Sequence, residues 1–321
     1  MTEKKNSCPA IAIVVPCFNE EAVLAATAER LLASLDALIE RQEAAENSFL
    51  LFVDDGSTDA TWPICRDLAA SHSRIAAISL SRNEGLQVAL LAGMEAAADT
   101  ADAVITIDAD LQDDIAVIPE MVRLFSEGAH IVYGVRDDRS ADTPSKRRTA
   151  SSFYRLQHAL GIKTLKNHAD FRLLSREAIT RLGQFGERNM FIRGIIPMLG
   201  LPTAQVSYAR LPRLAGHSKF STMRMVNLAI DGITSFSIRP MRVLTILGLL
   251  FLVIALGMAV YVVVALLLER TIPGWSSLML SLWFIGGCIT IGLGIIGEYI
   301  GRIYIEVKHR PRYFINRRAG L

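Results

Sequence analysis

The residues best suited to chemistry sit in three acidic turns. The first is V-I-T-I-D-A-D-L-Q-D, Val104 to Asp113. An apolar, β-branched run, Ala103 to Ile107, reads as a buried strand of a parallel sheet, and it discharges into Asp108, Asp110, Gln112, Asp113 and Asp114. Carboxylates at the C-terminal end of such a strand lie on the edge where open α/β sheets bind ligands. Asp108 and Asp110 are two residues apart, so on an extended chain they point the same way and can share one hard cation. Mg²⁺ or Mn²⁺ suits such oxygen ligands, bound through one or two carboxylates plus substrate phosphates. A solvated acidic turn has the same appearance when the D-x-D stands alone. Here it does not: Asn19-Glu20 follows Pro16 in P-C-F-N-E-E, and Asp54-Asp55 opens D-D-G-S-T-D. Carboxylates alone repel an anion, but with a divalent cation they bind a diphosphate, and they also accept hydrogen bonds from a base or ribose. A nucleoside diphosphate carrying a leaving group fits this set. A second anion would need cations. Arg136, Arg210, Arg213 and Lys219 are the candidates, although each taken singly also reads as a surface salt bridge.

The elements that must position these turns follow from the apolar pattern. Ala10 to Val15 reads as a first buried strand ending at Pro16, followed by a helix from about Ala22 to Arg41. Phe49 to Val53 is a second strand, whose following Gly56 permits a tight turn and whose Ser57 or Thr58 can cap the next helix. Ile75 to Leu80 is a third, leading through S-R-N-E-G, Ser81 to Gly85, into a helix from Leu86 to about Ala98. Ile131 to Val135 is a fifth strand ending in Arg136, and Pro202 to Tyr208 a late one. Strands alternating with helices predict a doubly wound, mostly parallel α/β sheet with its polar turns on one edge. The charged stretch from Asp137 to Arg148 suits a loop near the site, and a helix is expected over about Ala150 to Leu160.

The chain of 321 residues is 51% hydrophobic with a mean hydropathy of +0.33, too apolar for an ordinary soluble enzyme. The excess lies near the C-terminus. Val243 to Leu268 and Leu278 to Gly297 carry no charge, and about 20 such residues span the hydrocarbon of a bilayer. The break between them, Glu269 to Ser277, makes a two-helix transmembrane hairpin with spans near 243–268 and 276–300. Arg239 and Arg242 precede the hairpin, and Arg302, Lys308, Arg310, Arg312, Arg317 and Arg318 follow it. The positive-inside rule therefore puts both termini and the α/β domain in the cytoplasm, with residues 306–321 as a basic tail. Met223 to Ile238 has helical apolar spacing, which suits either a helix on the bilayer surface or one packed on the soluble domain. A net charge of +2 excludes a strong nucleic-acid footprint. The four cysteines show no zinc spacing and read as free thiols. Gly292 to Gly297 fits G-x-G-x-x-G, but it sits inside a span rather than after a strand, so it is no dinucleotide fingerprint.

Taken together and in order, P-C-F-N-E-E, V-D-D-G-S-T-D, S-R-N-E-G, D-A-D-L-Q-D, H-A-D-F-R-L and R-L-A-G-H-S-K-F ahead of a membrane hairpin resemble the family 2 glycosyltransferases that glycosylate polyprenyl phosphates. Dolichol-phosphate mannose synthases and bactoprenol glucosyltransferases belong to that group, and the resemblance covers nearly the whole chain. It implies a GT-A, Rossmann-like domain over residues 1–218, amphipathic juxtamembrane helices over 219–240 and the spans within 241–305. Pro16, Asn19, Glu20, Asp54 and Asp55 would line the nucleotide site. Asp108, Asp110 and Gln112 would hold Mg²⁺ or Mn²⁺ on the diphosphate. Arg136, Arg210, Arg213, Ser218 and Lys219 would bind acceptor or donor phosphate, and Asp170 in A-D-F-R-L would be the catalytic carboxylate beside Asp110. Relatives often read D-L-Q-H/D-P-P-E where this chain has D-L-Q-D-D-I-A-V-I-P-E, so the path after Gln112 departs from the pattern.

The activity this resemblance implies is transfer of a sugar, UDP-glucose being the favoured donor, to undecaprenyl phosphate with inversion, at the cytoplasmic face of a bacterial inner membrane. Some relatives are homotetramers. Two other readings stay open at this point. One is the same fold with GDP-mannose or a UDP-aminosugar as donor. The other is a membrane scaffold that binds nucleotide sugar without turnover.

Overall fold

The computed structural model describes residues 8–136, 168–187, 191–209, part of the stretch 244–268, and 274–320. The loop expected at 137–148, the helix at 150–160 and the juxtamembrane segment at 219–240 lie outside the described residues, as do Arg210, Arg213, Ser218 and Lys219.

An eight-stranded mixed sheet runs in the order β7-β5-β6-β4-β1-β2-β3-β8. Its strands are β1 Ile11–Cys17, β2 Phe49–Asp54, β3 Ile75–Leu80, β4 Ala103–Thr106, β5 Ile131–Arg136, β6 His168–Ser175, β7 Thr203–Tyr208 and β8 Ile315–Ala319. The pairs β1–β2, β2–β3, β1–β4 and β5–β7 are parallel; β6 and β8 run against their neighbours. Helices α1 Leu24–Glu40, α2 Thr61–Ser71 and α4 Ile118–Ser126 cover one face and share a core with Ile11, Ile13 and Val15 of β1. Helices α3 Leu86–Ala98, α5 Arg176–Gly183 and α6 Ile192–Ile195 cover the other, over Ala12 and Val14. Alternate residues of one strand thus enter two cores, and this is why the central strands are continuous apolar runs. The Rossmann-like, doubly wound core expected from the sequence is present.

Three features differ from the sequence reading. β1 continues through Pro16 to Cys17. Even-numbered β1 residues face β4, since Ile107 donates its N–H to the Val14 carbonyl, and the β1–β4 ladder stops at Val14. The donor that Pro16 lacks therefore has no ladder position to fill. The second difference is β6, unanticipated as a strand, which lies antiparallel between β4 and β5. The third is the C-terminal segment. Residues 306–321 are not simply a tail, because β8 pairs with β3 and closes that edge of the sheet.

Helix α7, Trp275–Val307, extends well beyond the expected end of the second span. Its stretch Phe284–Val307 is long and apolar enough to cross a membrane. At 33 residues the helix is about 50 Å long, longer than the roughly 30 Å hydrocarbon core of a bilayer.

Candidate active site

The winding changes direction between β1 and β4, and the C-terminal ends of these two strands form the crevice where doubly wound sheets bind ligands. The acidic turns expected to converge do lie on this edge. Behind β1, Asn19 adopts a left-handed φ of 53°, a conformation Asn tolerates, and its N–H donates to Ser57 Oγ at 2.9 Å. Its side-chain oxygen accepts from the Thr58 N–H at 2.9 Å, while the Glu20 N–H donates to Thr61 Oγ1 at 2.9 Å. These bonds clasp the β1 and β2 turns together. They explain why N-E-E and G-S-T-D occur as a pair.

Asp54 and Asp55 are both buried. Asp54 accepts from the Ser57 N–H at 3.0 Å and from Ser79 Oγ at 2.8 Å. Asp55 accepts from the Glu84 and Gly85 N–H groups at 2.8 and 2.9 Å. Burial raises the Asp55 pKa from 3.8 to about 6, although these two N–H groups pull it down. Asp55 thus braces the Ser81–Gly85 loop. Gly56 makes this possible: its φ is +66°, and a Cβ there would stand 2.5 Å from the Arg82 carbonyl carbon.

The β4 turn is held from below, where Thr27 Oγ1 of α1 donates to the Ala109 carbonyl at 2.7 Å. The Gln112 N–H donates to Asp110 Oδ1 at 3.3 Å. Between them Leu111 is buried with a left-handed φ of 44°, a conformation costing roughly 1–3 kcal/mol in a non-glycine residue and concentrated at functional sites. Asp108 is half-buried among acids. Burial, and then the charges of Asp170, Asp113 and Asp110, raise its pKa to about 7 against the pull of Arg136. Among the described residues no three Asp, Glu, His or Cys side chains converge as a ready-made chelate. The donor set nonetheless fits a hard divalent ion that takes its remaining oxygens from a diphosphate, because a cation would remove the repulsion gathered on Asp108.

Two arginine–carboxylate clusters flank this turn. Asp113 is buried and accepts from Tyr208 Oη at 2.6 Å and from Arg136 Nη2 at 2.9 Å. Burial works against the Arg136 charge, but Asp113 and Tyr208 outweigh it and raise its pKa. Arg136, expected on a phosphate, therefore holds the acidic turn to the ends of β5 and β7. Because β6 is antiparallel, its beginning rather than its end reaches the active edge, and this carries Asp170 there. Asp170 is 5% exposed. Arg193 binds it at both oxygens, at 3.0 and 2.7 Å, and the buried Arg172 Nη2 also donates to it. Asp113, Tyr208, Arg172 and Arg193 were not singled out as site residues from sequence. For Arg193 the only signal was a charge in the apolar run F-I-R-G-I-I.

The model of glycosyl transferase family 2 matches residues 12–183, which carry all three acidic turns and Asp170. The chain belongs to this family. The glycosyltransferase YkoT of Bacillus subtilis is 47% identical over 97% of this chain and 93% of its own length. The bactoprenol glucosyl transferase of Shigella phage SfV is 42% identical over 95% of this chain and 97% of its own. A prophage bactoprenol glucosyl transferase homolog of Escherichia coli K12 is 40% identical over 96% and 98%. The mixed sheet is of the GT-A type used by this glycosyltransferase family.

Proposed function

We propose that this glycosyltransferase moves glucose from UDP-glucose to a polyprenyl phosphate, with inversion, at the cytoplasmic face of a bacterial membrane. The observation that carries the acceptor is end-to-end similarity, without large gaps in coverage, to proteins named bactoprenol glucosyl transferases. The join between membrane helix and catalytic sheet supports it, since only a short connection separates Val307 of α7 from Ile315 of β8. An enzyme whose acceptor stays in the bilayer gains by holding its active edge at headgroup height. A hairpin of two spans is also part of the proposal. The Phe251 and Phe284 rings meet edge to face at 5.7 Å, and Leu244 approaches Gly292, contacts in the order of an antiparallel helix pair.

The reaction is one in-line displacement: an acceptor phosphate oxygen attacks the anomeric carbon and the nucleoside diphosphate leaves. Asp108, Asp110 and Gln112 would hold Mg²⁺ or Mn²⁺, which supplies charge neutralisation for the leaving diphosphate. The Asn19–Glu20 and Asp54–Asp55 turns shape the nucleotide site. An acceptor phosphate is largely ionised near neutral pH and needs no strong base. Asp170, held by two guanidinium groups, suits orientation and electrostatic roles better than proton abstraction.

The test is turnover of the full-length protein in detergent with undecaprenyl phosphate, Mg²⁺ or Mn²⁺, and a panel of nucleotide sugars. Lipid-linked glucose with release of UDP is expected. Product from GDP-mannose or a UDP-aminosugar instead would overturn the donor, and nucleotide binding without product from any donor would overturn the catalytic reading.

A further inference from the structure

We propose that Arg193 is a phosphate-binding residue of the reaction, and that its ion pair with Asp170 is a latch which an incoming phosphate opens. This rests on the transferase reading above. Among the described residues, Asp170 is one carboxylate facing two guanidinium groups, Arg172 and Arg193. Arg172 lies two residues along β6 on the same face of the sheet, is 2% exposed, and is the permanent partner. Among the described residues its buried Nη1 has no hydrogen-bond partner, so the layer already holds cationic capacity that Asp170 does not use up. Arg193 is different. Its side chain is 36% exposed where that of Asp170 is 4%, so it covers the carboxylate from the open side.

Its mounting is rigid although its head is accessible. Ile192, Ile195 and Ile196 are buried around it and fix α6 to the sheet. The guanidinium grips Asp170 with Nε and Nη2, the two-point fork that also matches a phosphate. Arg136 is committed to Asp113 and Tyr208 on the other side of the acidic turn. A phosphate approaching an edge that already holds Asp108, Asp110, Asp113 and Asp170 meets repulsion, and a cation able to exchange one oxyanion for another removes it. When Arg193 turns to phosphate, Arg172 remains on Asp170, and the carboxylate stays paired.

The phosphate is either that of the lipid acceptor or that of the donor diphosphate, and equilibrium binding to the full-length protein in detergent separates them. The probes are undecaprenyl phosphate in mixed micelles and UDP with Mg²⁺. Arg193→Gln should weaken one of them by about tenfold, the scale of one charge-assisted contact, and leave the other nearly unchanged. The weakened probe names the source. Arg193→Lys keeps the charge and loses the fork, so it should fall between the two, and it carries the test alone if Arg193→Gln does not fold. Asp170→Asn removes the competing anion and should tighten the same probe, which no purely structural ion pair would do. Unchanged binding of both probes, equal loss of both, or weaker binding in Asp170→Asn overturns the proposal. Wild-type protein that binds both probes but makes no product sinks the transferase reading and leaves the latch standing; protein that binds neither sinks both.

Discussion

Removing a single hydroxyl, in Tyr208→Phe, tests whether the acidic turn is held by the network assigned to it. The Tyr208 hydroxyl donates to Asp113 at 2.6 Å and lies 3.2 Å from Arg136 Nε. The ring itself packs edge to face on Phe171 at 5.5 Å, a contact phenylalanine retains. The main loss is the charge-assisted hydrogen bond to a carboxylate that is 2% exposed, and such bonds contribute about 1.5–3 kcal/mol; the longer bond accepted from Arg136 Nε is lost as well, but that N–H keeps its bond to Asp113 Oδ1 at 3.2 Å. Arg136 stays on Asp113 and keeps the charge paired, so the penalty should not exceed that range. For a domain of this size it corresponds to a fall of roughly 3–12 °C in the melting temperature. Asp113→Asn should cost more, about 3–5 kcal/mol, because it leaves Arg136 without its counter-charge. In that background the hydroxyl meets a neutral amide, and Tyr208→Phe should cost only about 1 kcal/mol. Thermal melts of the four proteins in one detergent complete the cycle. A Tyr208→Phe melting temperature within about 1 °C of wild type, or strict additivity of the two changes, would refute the network.

Other expectations follow from single contacts. Asp110→Ala should abolish turnover and leave the melting temperature near that of wild type; full activity would remove Asp110 from the metal site. Chelation should stop turnover and added Mn²⁺ or Mg²⁺ restore it. Gly56→Ala should prevent folding or nearly so, because its Cβ would meet the Arg82 backbone at 2.5 Å, whereas Gly85→Ala, with φ 93°, ψ 160° and open space, should cost only backbone strain of up to about 3 kcal/mol. Similar melting losses for the two would contradict that geometry. Asp55 predicts a pH effect. Below its unfolded value of 3.8 both states carry the proton; from there to about 6 the folded protein keeps a proton the unfolded chain has lost. Stability from this group therefore falls as pH rises across that window, by on the order of 3 kcal/mol, and is level above it. Asp55→Asn should gain on wild type between those pH values, and a difference independent of pH would count against the burial argument.

The parallel core was legible because its strands are apolar on both faces and each ends in a polar turn. β6 was not, although the pattern existed. Asp170 and Arg172 alternate with Phe171 and Leu173, which is strand periodicity, but two charges pointing into a core obscure it unless each is recognised as the other's partner. The residues of the acidic turns were legible from type and spacing. Their partners were not, since Asp113 meets Tyr208 and Asp170 meets Arg193 only after long stretches of chain have folded. Arg136 shows the limit of residue type alone: an arginine suited to phosphate is here bound to a buried carboxylate. β8 was hidden for a different reason. Its exposed positions, Asn316, Arg317 and Arg318, are those of an edge strand, and edges are guarded by charge, so the sequence resembles a tail.

That edge strand gives the C-terminus a structural task. β8 pairs with β3, and the Phe314 carbonyl before it accepts from both the N–H and the hydroxyl of Ser81, at 2.9 and 3.2 Å. Ser81 begins the loop whose Glu84 and Gly85 N–H groups hold Asp55. Arg317 lies over the ring of Trp62, in the first turn of α2, at 6.0 Å. Chain leaving α7 thus reaches the Asp54–Asp55 side of the candidate site through one short connection and one hydrogen-bonded strand. Deleting residues 314–321 should therefore do more than shorten a tail. It leaves the β3 edge unpaired and the Ser81 loop without its anchor, so the melting temperature and nucleotide affinity should fall together. A truncated protein that melts and binds UDP like the full chain would show that the edge strand is dispensable and that α7 alone fixes the domain.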